Sequence, residues 1–134
     1  MQVKLALLAD SANISREGKL NILGVFDTIY TRQFPTKHPH MQLVMRFEAS
    51  PEEAGRRCQV EVQLVTQDGR VVFRVPGSVD LVRRELGEMV GVDHILALAN
   101  ISFEEPGRYT FRIAVDGVVA ASVPLRVESM PVQH

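Results

Sequence analysis

The segment His38-Pro39-His40, with Glu48 downstream, gathers the metal-ligand side-chain types of this chain most closely. A cupin-like metal site takes two histidines alternating on a regular strand and a carboxylate three or four residues later. Here Pro39 interrupts the strand and Glu48 lies eight residues beyond His40. His38 and His40 are therefore the candidate metal ligands, but their spacing predicts a proline-stiffened surface loop leading into a strand at Met41, with no bound metal or other cofactor. Nucleophilic catalysis needs a serine or cysteine beside a base and an orienting acid. No Gly-x-Ser-x-Gly elbow occurs, and Cys58 opens an alternating strand, where it is expected to face inward as an inert small hydrophobe. Asp93 and His94 are adjacent on a strand and so face opposite ways, which rules out a dyad between them. Neither the Walker pattern nor the dinucleotide fingerprint is present. The chain is expected not to be an enzyme. The remaining polar candidates are Asp10, Asn13 and Asp27. Asp10 and Asn13 have the residue types that cap tight turns, and Gly18 would relax the chain before Lys19 and Leu20. Asp27 interrupts an apolar run, where a buried carboxylate would need a hydrogen-bond partner.

Composition narrows the partners. The 134 residues carry 15 basic and 16 acidic side chains, a net charge of −1, so no bulk field attracts nucleic acid or an anionic membrane. Arg46, Arg74 and Arg112 alternate outward with Glu48 and Glu61, which predicts cross-strand ion pairs on a solvated face. The apolar start Leu5–Ala9 is closed by Asp10, too short for a signal core or a membrane span. With Cys58 as its single cysteine the chain forms no internal disulfide, and a cytoplasmic setting is expected.

The elements that must position these residues are strands. Apolar residues alternate with period two and turn residues recur every eight to twelve positions, which predicts one all-β domain over residues 1–134. Val60, Val62 and Leu64 form a hairpin with Val71, Phe73 and Val75 across Gln67–Gly69. Tyr109–Val115 form a second hairpin with Val119–Val127 across Asp116 and Gly117. Earlier strands are expected at Val3–Ala9, Leu20–Thr31, Met41–Glu48 and Val92–Phe103. One helical turn is expected in Ser50–Arg57, with Ser50 as N-cap, Pro51 first and Glu53 three residues after the cap. Pro76–Val90 reads as an edge strand or an irregular connection. A Pro-Gly turn before Tyr109 suggests a tyrosine corner, and with it an immunoglobulin-like antiparallel β-sandwich of about seven or eight strands.

Two of these strands are apolar on both faces. Leu20, Ile22 and Phe26 oppose Leu23, Val25 and Ile29; Val92, Leu96 and Leu98 oppose Ile95, Ala97, Ala99 and Ile101. Sandwich strands normally keep one wet face. The second face calls for cover by a loop, by the Pro76–Val90 segment or by another subunit. Leu23, Val25, Ile29, Ile95, Ala97 and Ala99 are accordingly the candidate interface.

The stretches "LALLADSANISREGKLNILGVFDTI", "FPTKHPHMQLVMRFE" and "FEEPGRYTFRIAVDGVVAASVPLRVE" carry a resemblance over nearly the whole chain. Ala9, Asp10, Gly18, Lys19, Leu20, Gly24, Phe26 and Asp27, together with Phe34, Pro35, His38 and Pro39, resemble the motifs of an uncharacterised family of small bacterial proteins, a domain of unknown function. The resemblance implies a stand-alone cytosolic β-sandwich and brings no activity, cofactor or catalytic residue. The expectation is a non-catalytic module that binds a protein partner or associates into a homo-oligomer, without nucleic acid or membrane. The alternative is a small-molecule or metal-binding, cupin-like sandwich with ligands in its loops.

Overall fold

The computed structural model describes residues 1–82 and 87–130. Nine strands fall among them: β1 (Gln2–Ile14), β2 (Leu20–Phe26), β3 (Thr28–Thr31), β4 (Thr36–Ala49), β5 (Arg57–Thr66), β6 (Val71–Asp80), β7 (Val90–Phe103), β8 (Gly107–Val115) and β9 (Val118–Ser129). They form two sheets, ordered β2-β1-β4-β7 and β3-β9-β8-β5-β6. The alternating residues explain the core. Leu43, Met45 and Phe47 of β4 meet Val62, Leu64, Phe111, Ile113 and Leu125 of the other sheet in one buried cluster. The expected helical turn is a short 3-10 turn at Pro51–Glu53, where the Glu53 carboxylate accepts the Ser50 N–H at 3.2 Å.

Several expected boundaries move. The predicted strand Leu20–Thr31 is two strands, because the chain leaves one sheet at Asp27 and joins the other. There β3 runs parallel to β9, with Thr28 beside Arg126 and Thr31 beside Ser129. This is why nine strands are present and why the pairing is not wholly antiparallel. Asp10 and Asn13 sit within β1 rather than at a turn; the turn lies at Ser15–Lys19, closed by Ser15 N–H to Lys19 O at 2.8 Å, with Gly18 at φ 85. The histidines lie inside β4, not in a loop before it, since pairing with β7 resumes on both sides of Pro39. Pro76–Asp80 continues β6 along β5, whereas residues 83–86 of that segment lie outside the described residues.

The hairpin of β1 and β2 does not continue flat. In β1 the pairing with β4 ends at Ala9 beside Gln42, and a straight continuation would set Ile14 against Lys37, nine residues from Arg46. At 3.3 Å per residue that is about 30 Å. Instead Ile14 and Gly18 share one cleft with Arg46, Asp80, Val82, Gly91, Val92 and Asp93, so the hairpin bends back over the outer face of β4 and β7. Gly24, at φ 73, sits at the bend. A Cβ there would lie 2.5 Å from the Asp10 carboxylate, so only glycine lets the strands approach this closely. The Gln42 side chain, on the outer face, takes up the Ala12 N–H left without a β4 partner.

Candidate functional site

The outer face of the β2-β1-β4-β7 sheet is the apolar surface foreseen in the sequence, and part of it is covered from within. Val25, Ala9, Gln42 and Ala97 form one register row across the four strands. Leu7, Val44 and Ile95 form the next. Ala9 and Val44 are 0% exposed although neither belongs to the core cluster between the sheets. The bent hairpin supplies their cover, and its paired residues divide accordingly: Ala12, Leu20 and Ile22 are half-buried, while Ser11, Asn13, Asn21 and Leu23 face solvent.

The six candidate interface residues divide in the same way. Leu23 is 73% and Val25 61% exposed on the edge strand β2. Ala97 and Ala99 are exposed on the opposite edge strand β7, with Ile95 half-buried beside them. Ile29 is a correction: after the crossover at Asp27 it turns into the core and is 8% exposed. Ile101 is also buried, with its neighbour Asn100 in the left-handed region at φ 53, where the inward parity of β7 changes. Asparagine tolerates that conformation better than most residues. Alternation counted along the sequence carries no mark of such a change.

The polar candidates are not brought together. Asn13 accepts a hydrogen bond from the Asn21 amide at 2.9 Å across the hairpin. Asp27 is exposed and accepts the Thr28 hydroxyl at 2.9 Å, while its backbone carbonyl accepts the Arg126 N–H at 2.8 Å. Asp10 packs against Gly24. His38 is half-buried with its ring centroid 6.1 Å from that of Phe26; burial holds its pKa below the ordinary value, with the nearby Asp10 carboxylate pulling the other way. His40 is exposed beside Ala99. Among the described residues no three His, Cys, Asp or Glu side chains stand close enough to hold a metal.

Two of the three strand arginines pair across strands, while Glu48 lies 3.7 Å from Lys4 and Arg112 makes no ion pair among the described residues. Arg46 holds Asp93 with two hydrogen bonds at 2.7 and 3.1 Å, and Arg74 lies 3.8 Å from Glu61. Both pairs are solvent-exposed and worth little to stability. His94 is exposed on β7 and lines a small cleft of about 30 Å³ between β6 and β7, with Met45, Val60, Val62, Val75 and Leu96. No described helix is long and apolar enough to cross a membrane.

Two packed sheets around one apolar cluster make this an all-β protein whose candidate surface is a sheet face with two free edges. The model of a family of unknown function, DUF6941, matches residues 4–128, and the protein belongs to that family. No curated protein matches the chain.

Proposed function

We propose that the protein is a non-catalytic β-sandwich of the immunoglobulin-like kind that acts by protein contact and self-associates through its apolar strands. Two features support the fold reading. The order β1-β4-β7 against β9-β8-β5-β6 follows the A-B-E against G-F-C-C′ order of variable-type immunoglobulin domains. Tyr109, early in the strand at the F position, donates its hydroxyl to the Glu105 carbonyl at 2.7 Å, as a tyrosine corner does.

The observation that carries the contact reading is the apolar sheet whose rim is left open at both ends: Leu23 and Val25 on β2, Ala97 and Ala99 on β7. Exposed apolar side chains gathered on one surface mark contact sites more often than catalytic ones. A single buried thiol and the absence of any disulfide among the described residues support a reducing compartment. Sedimentation equilibrium tests the proposal. The wild-type chain is expected to show an apparent mass above its 15.0 kDa monomer. A single 15.0 kDa species at every concentration would overturn it.

A further inference from the structure

We infer that the free edge of β7 is the seam at which a second copy of this chain pairs, antiparallel across a twofold axis, joining two four-stranded sheets edge to edge. The inference rests on the contact reading above and names its partner and its strand.

The four sheet edges differ in how they resist pairing. An unpaired edge exposes a row of N–H and C=O groups and is normally blunted by brevity, proline, charge or a bend. Among the described residues, β3 has only 4 residues, β2 is bent at Gly24, and β6 carries Arg74 and Pro76, the latter without an N–H. By contrast β7 runs for 14 residues without proline, lysine or arginine, and its one left-handed residue, Asn100, lies near its C-terminal end, leaving residues 90–99 as regular edge. Its one carboxylate, Asp93, is already held by Arg46 of the same chain. Strand β4 pairs along one side of it, and no described strand lies on the other.

Charge and area both suit a second copy. With the twofold axis anywhere between Ile95 and Leu98, Asp93 faces one of the uncharged residues Ala97–Phe103, and His94 one of Leu96–Ser102. No like charges meet in any of these registers. About ten paired residues extend roughly 33 Å, and two layers present about 20 Å of thickness to the seam, because β6, the edge of the other sheet, lines one cleft with β7. The seam then covers ~650 Å² on each copy, or ~1,300 Å² in all, within the range of stable interfaces. The small cleft lined by Met45, Val62, Val75 and Leu96 lies between β6 and β7 at this edge.

Sedimentation velocity on the full chain tests the seam. The wild type is expected at twice the 15.0 kDa mass. Lysine on an edge strand blocks pairing, so Ala97→Lys with Ala99→Lys is expected to raise the dissociation constant at least tenfold, with an unchanged circular dichroism spectrum. Leu23→Lys with Val25→Lys is expected to leave the dimer intact. Should the β7 double variant fail to fold, Ala97→Cys decides: a flexible bis-maleimide is expected to link two copies through the introduced thiol, whereas Leu23→Cys stays monomeric on a denaturing gel. A dimer that survives the β7 substitutions, fails to cross-link at position 97 and dissolves with the Leu23 and Val25 changes would overturn this seam and leave the contact reading standing. A wild type that is monomeric throughout would overturn both.

Discussion

Cys58, His38 and Tyr109 each have a role set by burial. Cys58 lies in the core, and desolvation raises its thiol pKa, with the nearby Asp116 carboxylate acting in the same direction. It is expected to resist iodoacetamide in the native protein at neutral pH and to react fully in denaturant. His38 shows the opposite sign. Burial lowers its pKa from the ordinary 6.5, so the unfolded chain takes up this proton at a higher pH than the folded one. Its contribution is present above the ordinary histidine value and is lost as pH falls through the lowered one. Urea unfolding from about pH 7 to pH 5 is expected to show stability falling in that window, with a smaller slope for His38→Asn. Tyr109 packs edge-on against Phe103 at 5.0 Å and bonds the Glu105 carbonyl. Replacing it by phenylalanine keeps the ring and removes one hydrogen bond, a loss of about 1 kcal/mol in denaturant unfolding. The inward Cys58 and the bond of the Tyr109 hydroxyl to nearby backbone were legible from alternation and turn chemistry. The burial of His38 was not, because it depends on Phe26 of another strand.

The β1–β2 hairpin carries the largest departure from sequence expectation. Alternation of Leu20, Ile22 and Phe26 against Leu23, Val25 and Ile29 reads as one long strand, since periodicity records facing and not which sheet a residue joins. Asp27 and Gly24 hold the missing information. The chain passes between sheets at Asp27, and the left-handed Gly24 bends the hairpin so that it covers Ala9 and Val44. Gly24→Ala adds both an unfavourable φ and a clash with Asp10, and a loss of about 1–3 kcal/mol is expected from denaturant unfolding. Amide exchange should quicken first at residues 10–14 and 20–25. Adding Asp10→Ala is expected to recover part of the steric loss, the Asp10 Cβ contact at 3.1 Å remaining, and to leave the backbone part in place.

At the scale of the molecule, the two sheets bury one apolar face each against the other, and the bent hairpin shields part of a second. What stays open among the described residues is the rim: β2 with Leu23 and Val25, and the outer edge of β7. Self-association at β7 predicts a thermal midpoint that rises with protein concentration, as mass action requires when only the folded chain pairs. A midpoint independent of concentration over a hundredfold range would count against it.

Period-two alternation, turn residues and the shortage of helical patterning determined by themselves that the protein is all-β, where the β5–β6 and β8–β9 hairpins lie and which of their side chains face in, because those properties depend on neighbours within a few residues. Only the tertiary structure decided which strands share a sheet, that Ile29 and Ile101 are core residues, and that Asp10, Asn13 and Asp27 stay apart. Those outcomes depend on a crossover, a bend at Gly24 and a parity change at Asn100, each a backbone event at one residue whose effect appears only when distant strands pack against it.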